Sequence, residues 1–230
     1  MKITMIHGQN HKGSTYHLGK LLAGRFPESE ISEFFLPRDL AHFCLGCCAC
    51  LEDETKCPCY GEKRPIMEAV EAADLLIFTT PTYCMHASAP MKAFMDLSFT
   101  YWLSHKPRAC MFQKKAVVLS TAAGAGAKGA VKDLKTMLFY WGVPWVRSFG
   151  VAVQANGWDR VSEKKKAKIQ KRVAALAKAV EKKKRVRVGL KTKFMFGLMR
   201  IMQKKGWGAS PREREYWAQQ GWLAAARPWK

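Results

Sequence analysis

The sequence predicts an α/β protein: a doubly wound, five-stranded parallel sheet with a basic helical C-terminal extension. Three observations carry this expectation. Over the first 155 residues, short apolar runs alternate strictly with segments of helical period, the pattern of a parallel sheet covered by helices on both faces. Loops rich in glycine and small residues follow the first, third and fourth runs, and such sheets hold their ligands outside the carboxyl ends of the strands. The formal charge of +21 is uneven: residues 160–230 hold 22 Lys/Arg and 4 Asp/Glu, whereas residues 1–159 hold 17 and 14. The basic excess therefore belongs to the tail and not to the sheet.

The predicted strands are KITMIH (2–7), EISEFFLP (30–37), DLLIFTT (74–80), KAVVLST (115–121) and VRSFGVAV (146–153). Helices are predicted at 14–25, 64–73, 87–103 and 127–141. A fifth helix, 162–184, carries Ile169, Val173, Leu176 and Val180 as one apolar stripe among lysines. The expected organisation is a domain over 1–185, with a cysteine-rich insertion at 44–59, and an aromatic-rich helical arm over 186–230. A composition of 48% hydrophobic and 25% charged residues excludes a wholly disordered chain. No apolar run approaches the ~18 residues of a membrane span. The opening MKITMIHGQN lacks a signal-peptide layout, so a cytoplasmic protein is expected.

The loop HGQNHKGST (7–15) leads from the first strand into a helix N-terminus, an arrangement suited to a phosphate. Gly8 and Gly13 have the spacing of a triphosphatase loop, but Ser14 stands where that loop requires lysine. In TPTYCMHASAPMKAFMDL (80–97), Pro81 and Tyr83 sit where the chain leaves the sheet, and Ala87, Ser88 and Ala89 let a planar ligand approach. Lys92 and Asp96 read as surface residues. The third loop contains a literal G-x-G-x-x-G at Gly124, Gly126 and Gly129. A dinucleotide fingerprint belongs after the first strand, with an acid about 20 residues on. This one follows the fourth strand, and Asp159, the next acid beyond the helix, lies too far away.

Together the three loops resemble those of the NADPH-dependent FMN reductases and iron–sulfur flavoproteins of the flavodoxin-like superfamily, over residues 1–155. The resemblance implies that the first loop holds the FMN phosphate through Gln9, His11, Gly13, Ser14 and Thr15. It assigns ribityl and isoalloxazine contacts to Pro81, Thr82, Tyr83 and Cys84, and the far side of the ring to Ser120, Thr121 and Gly124. Gln9 and His11 stand where the family usually has Ser and Arg, which implies a weaker or pH-dependent hold on phosphate, because imidazole loses its charge near neutrality. Ala122 and Ala123 replace common glycines and stiffen the third loop.

Six cysteines (44, 47, 48, 50, 57 and 59) fall within sixteen residues. Crowding of this kind, without a secretion signal, favours metal or redox chemistry over disulfides. Cys44, Cys47, Cys50 and Cys57 have a spacing that four ligands of a [4Fe–4S] cluster can use, and iron–sulfur flavoproteins look alike in this place. Structural zinc and unmetallated thiols remain open readings. Relatives usually carry an acidic pair after the last cysteine, where this chain has Tyr60, Gly61 and Glu62. Cys84 would lie beside the flavin, and Cys110 has no evident partner.

In the tail, residues 189–206 set Phe194, Met195, Leu198, Ile201 and Met202 on one broad face opposite Lys193, Arg200 and Lys204. Such a helix suits an arm packed across a homodimer or attachment to an anionic membrane surface. Nucleic acid is disfavoured, because no recognisable binding motif accompanies the charge. EYWAQQGWL (215–223) resembles the end of some flavodoxin-like proteins.

The expected function is an oxidoreductase passing hydride from NAD(P)H to FMN and on to a small-molecule acceptor such as a quinone, a free flavin or a nitro compound. The cofactor carries the chemistry in such enzymes, so no general acid or base is assigned. The rival readings are a flavodoxin- or ferredoxin-like electron carrier and a surface-binding module that uses the tail.

Overall fold

The computed structural model describes residues 1–230. Strands β1 (Lys2–His7), β2 (Glu30–Phe35), β3 (Leu75–Tyr83), β5 (Lys115–Ala122) and β6 (Trp145–Ala152) form a parallel sheet in the order β2-β1-β3-β5-β6. This is the doubly wound order in which the chain reverses direction between β1 and β3. A two-residue strand, β4 (His86–Ala87), turns back antiparallel on β3, pairing Thr82 with Ala87 and Tyr83 with His86.

The central strands are apolar on both faces because helices cover both: Leu75, Leu76, Ile77 and Phe78 are fully buried. On one side α1 (Ser14–Ala23) and α6 (Glu163–Lys182) bury Leu18, Leu22, Ile169, Val173, Leu176 and Val180 against Ile3, Met5, Ile77 and Val117. On the other, α3 (Tyr60–Ala72), α4 (Ala89–Leu97) and α5 (Ala127–Tyr140) pack Ile66, Val70, Phe94, Leu134 and Trp141 over Ile6, Phe78 and Val118. The edge strand β2 is only partly buried and carries Glu30 and Glu33, charges that discourage edge-to-edge pairing.

Several predicted boundaries move. The strand expected at 30–37 stops at Phe35, whose N–H is taken by the Asp39 carboxylate (2.7 Å) as the chain turns. The helix expected from 64 begins at Tyr60 and includes Pro65. The helix expected over 87–103 runs only from Ala89 to Leu97, because Ala87 belongs to β4 and a separate 3₁₀ turn covers Phe99–Tyr101. A short helix, α2 (Ala49–Glu52), forms inside the cysteine segment.

The arm folds back on its own chain as α7 (Leu190–Lys205) and α8 (Pro211–Gln219). Phe196, Trp217 and Trp222 build a separate small core with Leu103, Phe112 and Val188. The Trp217 indole N–H donates to the His105 carbonyl (2.7 Å), Tyr216 O–H to the Pro107 carbonyl (2.6 Å) and the Gln203 amide to the Ser104 carbonyl (2.9 Å). Ser210 and Glu213 form a capping box at the start of α8. The single broad apolar face expected of α7 is therefore two faces. Thr192, Phe196 and Gln203 point inward, while Phe194, Leu198 and Ile201 point to solvent. No helix is long and apolar enough to cross a membrane.

Candidate functional site

The sheet order makes β1, β3 and β5 neighbours, so the loops at their carboxyl ends meet at one edge. Side chains tie them together. Thr15 and Thr121 hydroxyls lie 2.5 Å apart, linking the first loop to the third. Thr82 and Ser120 hydroxyls lie 2.8 Å apart, linking the second to the third. The Ser88 hydroxyl, at the start of α4, donates to the Gly8 carbonyl (2.5 Å). Gln9, His11, Gly13 and Thr15 line a small cavity that also contains Pro81, so the first two loops share a wall. Tyr83, Cys84 and Gly124 are exposed at the rim.

Helix α1 has Gly13 at its N-cap, with no side-chain cap and no acid in its first turn. Its leading N–H groups and positive dipole end therefore face the cavity without an internal partner. Ser14 and Thr15 are buried beside them, and the His11 ring packs so close that a Cβ on Gly13 would stand 2.7 Å from its Nε2. The position requires glycine while His11 stays in place.

Beneath the loop lies His7, which sequence reasoning missed. It is 1% exposed, stacked on Phe35 at 4.6 Å, with Nε2 2.8 Å from Glu33 and Nδ1 2.7 Å from Thr79. Burial pushes the imidazole below its ordinary value despite Glu33. The neutral ring then donates from Nε2 to the carboxylate and accepts the Thr79 hydroxyl proton at Nδ1, the only assignment that satisfies both partners. Lys20 reaches the other oxygen of Glu33 (3.2 Å).

The second loop is a tight hairpin in which Cys84 and Met85 both have positive φ (48° and 69°). Two-residue turns of this hand normally use Asn or Gly, so the Cys-Met pair is strained. The glycines of the third loop seat this hairpin. A Cβ at Gly126 would stand 2.8 Å from the Met85 sulfur, and one at Gly129 2.0 Å from the Met85 carbonyl oxygen. Gly126 has φ +93°. The second and third glycines of the G-x-G-x-x-G run thus serve close packing, while Gly124 has open space where a Cβ would stand.

Beyond the hairpin a groove of about 630 Å³ runs between α4 and α5, with Met95, Phe99, Trp102 and Met137 among its apolar walls. His86 pairs with Asp133 (3.1 Å) and Lys92 with Asp96 (2.6 Å) along it. Lys92 and Asp96 are exposed, as expected of surface residues.

All six clustered cysteines, Cys44, Cys47, Cys48, Cys50, Cys57 and Cys59, line one apolar cavity with Leu97 and Phe99. All are free thiols, and no three come close enough to ligate a single ion. Cys50 and Cys59 are buried, and burial pushes both thiols up. Lys63, 2% exposed, acts on Cys50 in the opposite direction, and its ammonium has no hydrogen-bond partner. The segment is anchored by Lys106, which donates to the Leu51 carbonyl (2.5 Å), and by Arg108, which reaches Glu54 (2.7 Å). Cys110 lies apart and half-buried.

Comparison with known proteins gives four matches. The family model for NADPH-dependent FMN reductase matches residues 1–157. The chain is 26% identical over 190 residues to an iron–sulfur flavoprotein of Clostridioides difficile strain 630, covering 80% of this chain and 81% of that protein. Among solved structures it resembles the FMN-dependent NADH-azoreductase of Bacillus anthracis strain Ames Ancestor in complex with FMN (TM-score 0.55, 12% identity, 76% of this chain and 99% of that one). It also resembles FerB, a flavoenzyme NAD(P)H:acceptor oxidoreductase of Paracoccus denitrificans (TM-score 0.54, 20% identity, 78% and 97%). At these identities the two structures establish a shared fold.

Proposed function

The chain belongs to the NADPH-dependent FMN reductase family, and from that premise we propose that it oxidises NAD(P)H through FMN held in the three-loop cleft and reduces a small acceptor of the quinone, free-flavin or nitro class. The observation that carries this reading is the uncapped α1 N-terminus at the meeting point of three tethered loops. When bound, FMN supplies the hydride acceptance and the onward transfer of reducing equivalents. The residues of this chain bind and orient. The N–H groups of Ser14 and Thr15, their hydroxyls, Gln9 and His11 suit a phosphate. Pro81, Thr82, Tyr83 and Cys84 offer a ledge for the ring, and Ser120, Thr121 and Gly124 close its other side. The open groove beside His86 leaves room for a nicotinamide or an acceptor.

Anaerobic titration of the apoprotein with FMN, followed by NADPH, tests this. Saturable binding and bleaching of the flavin by NADPH support it. A chain that binds FMN yet is reduced only by a partner reductase is an electron carrier instead.

We further propose that Cys44, Cys47, Cys50 and Cys57 ligate a [4Fe–4S] cluster. Thiols lining one apolar cavity suit a multi-iron unit, and a C-x2-C-x2-C run is less natural for zinc, which more often uses two C-x2-C pairs. The unpartnered Lys63 ammonium beside Cys50 offers the positive charge that an anionic thiolate-bound cluster lacks in a dry cavity. The iron–sulfur flavoprotein among the relatives supports the same reading. Iron and acid-labile sulfide assays on anaerobically purified protein decide it.

A further inference from the structure

The outward face of α7 is unusual for a folded surface. Leu190 is 84% exposed, Phe194 73% and Trp207, just past the helix, 57%, with Leu198 and Ile201 also exposed. From Leu190 to Ile201 these residues recur one turn apart and form a continuous stripe about 17 Å long. The inward face is already satisfied by Phe196, Trp217 and Trp222, so the stripe is not the exposed half of an incomplete core.

Charge frames this stripe on every side. Residues 182–212 contain eleven Lys/Arg and no Asp/Glu. Lys193 and Lys204 border the stripe on one flank and Lys191 on the other, with Lys205 beside Phe194 and Ile201 on the helix wheel. Next to it, between α5 and α7, lies a groove of about 560 Å³ lined by Lys128, Lys132, Lys135 and Lys191 over a floor of Val131, Phe139, Tyr140 and Met195. Lys191 and Met195 each follow a stripe residue by one position, so the groove wall and the stripe adjoin. The lysines that pair with carboxylates are Lys20, Lys92 and Lys166, none of them in this groove. Asp133, beside Lys132 in the chain, is committed to His86.

We propose that this surface docks on a membrane rich in anionic phospholipid. The stripe of α7 enters the boundary between headgroups and acyl chains, and the lysine groove takes up headgroup phosphates. A helix lying in the interface presents an apolar face to the acyl boundary and cations at its flanks, the combination seen here. Trp207 at the helix end suits the same boundary, where an amphipathic indole is favoured. A second copy of this chain fits less well, because packing α7 against its equivalent brings two acid-free basic flanks together. Nucleic acid leaves the apolar stripe without a role.

The test is sedimentation of the full chain with vesicles of phosphatidylcholine, alone or mixed with phosphatidylglycerol, at low and high salt. Binding is expected only to the mixed vesicles and to weaken with salt. A Phe194→Ser/Ile201→Ser variant, altered only on the solvent face, is expected to bind at least about tenfold more weakly, and a Lys135→Gln/Lys191→Gln variant to lose most of its anionic preference. Both are expected to keep the thermal transition and the NADPH-dependent reductase rate of the parent in vesicle-free solution. Equal sedimentation with neutral and anionic vesicles overturns the proposal. So does undiminished binding by the Ser variant, or its conversion from dimer to monomer by light scattering, which would assign the stripe to a second copy. Displacement of the parent from vesicles by duplex DNA that also binds the Ser variant equally would assign the charge to nucleic acid.

Discussion

Gly129, on the first turn of α5, packs so tightly against Met85 that a Cβ on it would stand 2.0 Å from the Met85 carbonyl oxygen. That contact fixes the Cys84–Met85 hairpin, with its two left-handed residues, against the loop that follows β5. Two of the three loops of the cleft therefore share one backbone-to-backbone seat. A Gly129→Ala substitution is expected to push the hairpin outward, costing about 1–3 kcal/mol of stability. That corresponds to a melting temperature lower by several degrees for a chain of this size. The accompanying expectation is a weaker hold on FMN, read by fluorescence titration, whereas Gly124→Ala, with nothing near its Cβ, leaves the melting temperature close to the parent.

His7 gives the fold a pH dependence of known sign. Its folded-state pKa lies below the ordinary 6.5 because burial disfavours the imidazolium. The unfolded chain therefore binds the extra proton first as pH falls below about 6.5, and stability declines from there until the folded-state value is reached. The carboxylates held low, Asp39 and Glu213, act in a separate and more acidic window. Melting temperatures are expected to drop as pH falls below about 6.5, and His7→Asn is expected to flatten that portion of the curve while lowering stability at neutral pH. An unchanged slope in the variant would assign the titration to another group.

The sequence carried the five parallel strands and the three loops because each rests on local patterning: apolar runs, helical stripes and glycines at strand ends. His7 was invisible because its role is set by Glu33 and Thr79, 26 and 72 residues away. Lys63 sits in a run, YGEKRP, that looks solvated, and only the packing of the folded chain buries it. Helix α8 did leave a signal, the Ser210…Glu213 capping box, but its solvent face is so polar that Trp217 alone marks the inward side. The inward face of α7 was hidden for a related reason: beside Phe196 it carries the polar Thr192 and Gln203, so periodicity points to the Phe194, Leu198 and Ile201 side instead.

Lys63 is expected to behave differently with and without iron. In the apoprotein Lys63→Met removes an unpartnered buried ammonium and keeps its stem, so thermal stability is expected to hold or rise. In protein loaded with a cluster, loss of the positive charge is expected to lower the midpoint potential by tens of millivolts, where 59 mV is tenfold for one electron. A potentiometric titration followed by electron paramagnetic resonance reads this. An unchanged potential would place the cluster away from Lys63.

Trp217 is fully buried and anchors the arm through its indole N–H on the His105 carbonyl. Trp217→Ala is expected to cost about 3–5 kcal/mol within the small C-terminal core. Because that core is separate from the two sheet cores, limited proteolysis is expected to cut within residues 186–230 while the sheet domain survives. Simultaneous loss of the whole fold would show the arm to be part of one cooperative unit.

The central claim, that this chain is a flavin oxidoreductase with a cluster-binding cysteine segment, is tested most directly by one absorption spectrum of protein purified without oxygen and supplied with FMN, with iron and zinc assayed on the same sample. Flavin bands, a broad dithionite-bleachable shoulder and about four irons per chain without zinc are expected. Flavin bands with neither metal would remove the cluster and leave the reductase. A protein that stays colourless in excess FMN would contradict the reading of the three-loop cleft itself.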